Sequence, residues 1–389
     1  MTNHEFPAGK EPAFLFGCGR FRMEADLLEH CAEEILRFGR RPLLVCDDNS
    51  HAVAFDKVAA SLAAVGVEVR ELRHNGFCCR DDALAFAEAG GLDGIDVVLG
   101  CGGGVILDFS KCLAHLAGAP LVTIPTSSAQ CCAYTPIAVC YTREGRYVST
   151  SHFPGEIAAA LLDTTVLSRQ PPRLLAAGAL DAMAKKIELA FWRGIPNAGA
   201  GGEAPGGIAS AISDFLYADL DAKIDPAMAD LAKGEPTPTL RDMFFDSIVG
   251  AGIVSGIAGG SRQVALAHRF YFFAKERLAA LGGAASGRAA RSESAPSQAS
   301  RFTHGELVAV GLVMQHAYNG KPAEAAALAA RLRGWGLAAS VAELGLPTGP
   351  GELGACADFI SATKTMKAAI AVDPAAPARL RDALAAIYE

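Results

Sequence analysis

The segment Asp96–Lys111, DVVLGCGGGVILDFSK, carries the first decision about the fold. A short β-branched run, Asp96–Cys101, leads through Gly102, Gly103 and Gly104 into a helical pattern over Val105–Ala117. Three consecutive glycines let the backbone approach a pyrophosphate closely, and the helix that follows offers free N–H groups and the positive end of its dipole. A plain strand-to-helix turn is the alternative for this stretch taken alone.

Working outward, the first 165 or so residues repeat the same alternation. Further strands are predicted at Pro42–Cys46, Val67–Leu72, Pro120–Ile124 and Ile137–Tyr141, with helices over Met23–Phe38, Val53–Val65 and Ala83–Ala89. Short strands separated by helices describe βαβ units and a mostly parallel sheet, the architecture of a nucleotide-binding domain. After Gln170-Pro171-Pro172 the pattern turns to long Ala/Leu-rich helical segments: Leu174–Trp192, Ile208–Ala218, Leu240–Ile257, Leu307–His316 and Ala323–Trp335. A boundary near residue 168 is expected, with an α/β domain over 1–168 and an all-helical domain over 169–389. Gly194–Gly207 reads as a loop, and the Ser/Ala/Arg-rich Gly282–Arg301 as a mobile insertion.

Composition narrows the function. A chain of 389 residues exceeds what one core usually fills, and 51% hydrophobic against 20% charged residues argues for a well-buried interior. The 35 Lys+Arg against 42 Asp+Glu, without a basic block, give no electrostatic reason to expect nucleic acid or an anionic membrane as partner. No apolar run reaches the roughly 18 residues of a membrane span, and Met1–Lys10 has no apolar stretch behind it to suggest a secretion signal. Eleven cysteines without a C-x-x-C pair suit reduced thiols in a cytoplasmic protein better than a disulfide framework. A small-molecule enzyme is the class that remains.

Two further N-terminal features bear on a nucleotide. Gly17-Cys18-Gly19 is a weak glycine pair, read as a turn. Asp47-Asp48-Asn49 closes the second strand; a carboxylate there can accept hydrogen bonds from a ribose and repel a 2′-phosphate, favouring NAD over NADP, or it can cap the next helix. In the helical half, Asp181 lies in an apolar helical stretch, Gly260-Ser261-Arg262 leads towards His268, and His304-Gly305-Glu306 opens a helix. One Asp and two His meeting at a cleft suit a divalent metal with an open coordination position.

With these motifs in this order, the chain resembles the metal-dependent polyol dehydrogenases of the glycerol dehydrogenase type, in the iron-containing alcohol dehydrogenase and dehydroquinate synthase-like superfamily. The matching pieces are the Gly-Gly-Gly-x-x-x-Asp-x-x-Lys loop at 102–111, Ile124-Pro125-Thr126-Ser127-Ser128, Tyr141-Thr142-Arg143-Glu144-Gly145, Asp163-Thr164, Pro172-Arg173-Leu174-Leu175 and His304-Gly305-Glu306. The resemblance implies a Rossmann-like N-terminal domain, an all-α C-terminal domain and a cleft between them. It implies Asp181, His268 and His304 as metal ligands, through which they act in catalysis. Gly102, Gly103, Gly104 and Asp108 would hold the pyrophosphate and nicotinamide end, Thr126 and Ser127 would line the cofactor cleft, and Asp47 would meet the ribose. A homo-oligomer is suggested as well.

The departures matter equally. Lys185 stands one turn after Asp181, where iron-dependent relatives carry a further His, which favours Zn²⁺ over Fe²⁺. Cys131 stands where the glycerol dehydrogenase pattern has a polyol-orienting acid; it can shape a more apolar pocket, ligate the metal or simply pack. The 36-residue spacing from His268 to His304 is lengthened by the 282–301 insertion. Gly260-Ser261-Arg262 and the Asp181/Lys185 pair also resemble sn-glycerol-1-phosphate dehydrogenases, so a phosphorylated substrate stays open. The expected activity is hydride transfer between a small alcohol or polyol and NAD, with His152 as a candidate proton acceptor. The competing expectations are a dehydroquinate synthase-like lyase, which would regenerate NAD in each cycle, and a nucleotide-binding relative without catalysis.

Overall fold

The structure is a computed structural model and describes residues 16–195, 203–259, 263–285 and 302–388. Its first half is built on a six-stranded sheet made of β1 (Phe21–Glu24), β2 (Pro42–Cys46), β3 (Arg70–Arg73), β4 (Val97–Gly102), β5 (Leu121–Pro125) and β8 (Ala159–Asp163), in the order β1-β8-β5-β4-β2-β3. Every neighbouring pair is parallel. Alternation along the central strands gives the sheet two apolar faces: Leu43, Val45 and Val98 join one core, and Leu44, Cys46, Val97 and Leu99 the other. The helices needed for the site are α1 (Asp56–Ala63), α2 (Arg80–Glu88) and α3 (Gly104–Ala117). The chain moves outward from β2 to β3 and then returns to β4 on the other side of β2. The crevice at the carboxyl ends of β2 and β4 is therefore the topological switch point of the sheet, the place where open α/β sheets bind ligands.

Several sequence expectations are corrected here. Met23–Phe38 is not one helix. Its start is the edge strand β1, held by Arg20 and Arg22 on the buried Glu34 carboxylate at 2.6 and 3.1 Å, and Asp26 in the left-handed conformation (φ 55°) breaks any helical run. Ile137–Tyr141 is a strand, β6, yet it pairs antiparallel with β7 (Tyr147–His152) in a separate hairpin. Its inward residues Ala138 and Cys140 pack over α3 and the large core instead of extending the parallel sheet.

From Pro172 onward the elements among the described residues are helices: α4 (Pro172–Arg193), α5 (Glu203–Leu231), α6 (Ala251–Ala258), α7 (Leu266–Ala285), α8 (His304–Tyr318), α9 (Pro322–Gly334), α10 (Pro350–Ser361), α11 (Lys364–Val372) and α12 (Ala376–Tyr388), with a short helix Pro238–Phe244 that runs through a π-helical stretch at Phe245–Gly250 into α6. Pro172 occupies the first turn of α4, where its missing N–H costs nothing. This helix is buried on almost every side from Leu175 to Leu189, as expected of the central member of a helical layer. The expected loop Gly194–Gly207 is helical from Glu203, and the expected insertion Gly282–Arg301 begins inside α7, which runs to Ala285. Residues 196–202 and 286–301, together with Gly260-Ser261-Arg262 and Met1–Lys10, lie outside the described residues.

Candidate metal centre and cofactor crevice

Three helices bring the candidate ligands together. Asp181 lies at the middle of α4, His268 in the first turn of α7 and His304 at the first residue of α8. One donor atom from each lies within 4.8 Å of the others. The Nε2 atoms of His268 and His304 are 3.2 Å apart and stand 3.5 and 3.3 Å from Asp181 Oδ1. Asp181 Oδ1 is buried and has no hydrogen-bond partner. An orphaned buried carboxylate oxygen is costly, and two imidazole nitrogens facing it form the oxygen and nitrogen donor set that a divalent cation takes. The residues therefore fit a metal. Burial alone would raise the Asp181 carboxyl, but His304, Lys185 and His268 together hold it well below the usual range.

The packing that places these donors is tight. A Cβ at Gly305 would run into the Ala177 carbonyl, so α8 can approach α4 this closely only with glycine after His304. Thr303 caps α8 in a capping box: its hydroxyl accepts from Glu306 N, and the Glu306 carboxylate accepts from Thr303 N at 2.7 Å. Arg173 from the start of α4 reaches the same carboxylate at 3.1 Å. The Pro172-Arg173 and His304-Gly305-Glu306 motifs are thus two halves of one clamp that sets the angle of His304. Such a cap is worth about 1 kcal/mol.

Sequence reasoning missed Glu188. It is fully buried on α4, accepts from Ala265 N at 2.8 Å and from His268 N at 3.0 Å, and meets His268 Nδ1 at 2.5 Å. A carboxylate on Nδ1 fixes the ring and directs Nε2 towards Asp181. The signal that could have revealed it is the i, i+4, i+7 row Asp181, Lys185, Glu188, three ionisable residues on one face of an otherwise apolar helix. Lys185 is equally buried, and its Nζ donates to Gln263 Oε1 at 2.8 Å. Cys131 begins the short 3-10 turn Cys131–Ala133 and is buried; desolvation pushes its thiol up, while Lys185 and Asp181 lie within electrostatic reach. It is therefore part of the surroundings of the candidate centre.

At the sheet, Asp47 ends β2 and Gly102–Gly104 end β4, on the two sides of the switch point. Gly103 is the N-cap of α3 and supplies no side-chain cap, which leaves the first-turn N–H groups for another acceptor. A Cβ at Gly103 would meet only the Ser127 hydroxyl, at van der Waals distance, whereas one at Gly104 would collide with the Gln130 amide. An open backbone at the start of a 14-residue helix fits a pyrophosphate. Thr126 N donates to Gly102 O at 3.1 Å, which places Thr126 and Ser127 along the same edge.

Two residues have other duties. The Asp108 carboxylate is turned into the protein, where it accepts from Lys111 Nζ at 2.8 Å and Val139 N at 3.0 Å and fixes α3 to β6. The Asp47 side chain caps the helical turn Asp48–Ser50, accepting from Ser50 N at 2.7 Å. Gly17 and Gly19 exchange backbone hydrogen bonds with Ile157, which is a structural turn. His152 sits in β7 opposite Ile137.

Comparison with known proteins agrees with this architecture. The family model described as iron-containing alcohol dehydrogenase matches residues 18–164. Hydroxycarboxylate dehydrogenase A of Escherichia coli K12 is 28% identical over 287 residues, 71% of this chain and 70% of that one. Glycerol dehydrogenase of Pseudomonas putida is 27% identical over 299 residues, 76% and 75% of the two chains. The crystal structure of glycerol dehydrogenase from Schizosaccharomyces pombe superposes with a TM-score of 0.79 at 20% identity, over 98% of this chain and 92% of that one, a likeness of fold. Residues 18–164 therefore match the iron-containing alcohol dehydrogenase model, and the parallel sheet with its helical C-terminal region has the fold of this solved neighbour.

Proposed function

We propose that the protein is a metal-dependent dehydrogenase that interconverts a small alcohol or polyol and its carbonyl form with NAD, working through residues 1–168 as the cofactor unit and 169–389 as the metal and substrate unit. The observation that carries this is the meeting of Asp181 Oδ1, His268 Nε2 and His304 Nε2 around an orphaned buried oxygen, with Glu188 locking the His268 ring.

When bound, NAD supplies the hydride acceptor and the divalent ion supplies the Lewis acidity that favours loss of the substrate hydroxyl proton. Asp181, His268 and His304 would hold the ion. A three-donor set with Lys185 one turn beyond Asp181 favours Zn²⁺ over Fe²⁺. Gly102–Gly104 and the N-terminus of α3 would receive the pyrophosphate, Asp47 the ribose, and Thr126 and Ser127 the side of the nucleotide. Cys131 and the buried Lys185 would border the substrate. The buried Lys185 ammonium, hydrogen-bonded to the neutral Gln263 amide, would also suit an anionic substituent, so hydroxy acids and phosphorylated polyols belong in the substrate class beside neutral diols. The enzyme would act as a homo-oligomer in the cytoplasm. Eleven free, buried cysteines support a reducing setting, and no described helix is long and apolar enough to cross a membrane.

The test is NADH formation with neutral diols, polyols, hydroxy acids and phosphorylated polyols, before and after exhaustive chelation. Chelator-sensitive NADH production is expected. Turnover that survives complete metal removal, or an Asp181→Ala/His268→Ala double variant as active as the parent, would sink the proposal.

A further inference from the structure

Away from the Asp/His centre, three cysteines from three separate elements converge in the N-terminal half. Cys78 lies in the loop before α2, Cys112 in the middle of α3, and Cys140 on β6. All three are buried, and their sulfurs lie within 4.8 Å of one another. We propose that Cys78, Cys112 and Cys140 form a second, trithiolate site for a divalent d10 ion, distinct in ligands and in softness from the Asp181/His268/His304 centre.

Geometry comes first. With metal–sulfur bonds of about 2.3 Å, sulfurs around one ion sit about 3.8 Å apart, so the three thiols need to draw in by only about 1 Å to enclose it. Thiolate ligands select soft or borderline cations, not the hard ones that prefer oxygen.

Charge decides between the soft candidates. Three thiolates leave one net negative charge with a divalent ion and two with a monovalent ion. The neighbouring positive group is Arg80, whose guanidinium donates to the Ser151 hydroxyl, which in turn lies 3.7 Å from Cys140 Sγ. The nearby Asp108 carboxylate is already paired with Lys111. A divalent ion leaves less net charge in this interior than a monovalent one, and buried charge is costly.

Binding would form three metal–sulfur bonds and pass the thiol protons to solvent, with no change of oxidation state. It would tie the loop before α2, the middle of α3 and the β6–β7 hairpin at one point. Asp108, one turn before Cys112, already fastens α3 to the residue beside Cys140 through Val139 N.

The experiment is titration of the metal-free full-length chain with Cd²⁺ under reducing conditions, followed by the ultraviolet sulfur-to-cadmium charge-transfer absorption. We expect a saturable band with one Cd²⁺ per chain, retained in Asp181→Ala and Cys131→Ser and lost in Cys112→Ser. Retention in Asp181→Ala separates this site from the proposed catalytic one. Absence of the band in the parent, or a band unchanged in Cys112→Ser, overturns the proposal. Should Cys112→Ser fail to fold, zinc-edge X-ray absorption of the Zn²⁺-loaded Asp181→Ala protein decides: three sulfurs at about 2.3 Å support the site, and a shell of only nitrogen and oxygen refutes it.

Discussion

The Asp181/His268/His304 cluster and the Cys78/Cys112/Cys140 cluster satisfy the same distance criterion, yet they are built in different ways. The first is assembled by helix crossings, each histidine held by a partner behind it: Glu188 on His268, and the Thr303–Glu306 box at the base of His304. It keeps an orphaned carboxylate oxygen at its centre. The second is lined by apolar packing, and its thiols answer to one another and to the Arg80–Ser151 pair. A site under tension from unmet polar groups is one whose occupation should matter to chemistry. A site that packs well when empty is one whose occupation should matter to rigidity.

The strongest way to break this contrast is Asp181→Ala. Loss of the central carboxylate should lower kcat/KM about 1000-fold, equivalent to about 4 kcal/mol of transition-state stabilisation. A loss under tenfold in steady-state kinetics would place the two clusters on the same footing. Glu188→Gln comes next. It keeps the shape and one acceptor but loses the charge on His268, and activity at limiting metal should fall about 10- to 100-fold, with recovery at excess metal. Failure of excess metal to rescue would mean that Glu188 serves the fold alone. Cys112→Ser should leave kcat/KM within about twofold, because the two clusters share no ligand; a large loss of activity measured beside an intact circular dichroism spectrum would couple them.

The smallest effect concerns a third group of buried ionisable residues, with no metal chemistry, which serves as a baseline. Asp246 in the π-helical stretch is pushed up to about 7 by burial and by Asp219 beside it, with Lys223 opposing and Asp242 adding to the shift. Its unfolded value is near 3.8. Between those values the folded chain binds more protons than the unfolded one, so the stability contributed by a protonated Asp246 is lost as pH rises towards and through 7. Asp246→Asn should raise the Tm by about 2 °C at pH 8 and by less at pH 5 in a thermal melt. Equal gains at both pH values would contradict the assignment.

Much of this was legible in the sequence, for reasons that differ by element. Pro42–Cys46 is a strand with the expected limits because a central parallel strand is apolar on both faces. β8, Ala159–Asp163, was missed because its residues AALLD carry no β-branched side chain, and only its place beside β5 makes it a strand. β1 was read as part of a helix because the Arg20 and Arg22 ties to Glu34 that hold it are long-range. In the candidate centre the ligand-type residues stood out by chemistry, as did the glycine loop. Glu188 did not, since a Glu on a helix looks like any solvated one until tertiary packing buries it. Asp108 follows the glycine loop in sequence, but its bonds to Lys111 and Val139 were not legible there, because one helical turn carries its carboxylate to the inner face.

One detail of the Asp/His cluster has a kinetic meaning. The side chains of Asp181 and His268 are 5% and 7% exposed, whereas that of His304 is 21% exposed. On the proposed ligand set, traffic of ions passes on the His304 side, at the first residue of a helix whose start is pinned by Thr303 and Arg173. Loosening that cap, as Thr303→Ala would, changes how fast an ion is gained or lost more than how tightly the remaining pair grips it. On that ligand set the clamp at the start of α8 would govern how readily an ion exchanges, as well as bracing His304.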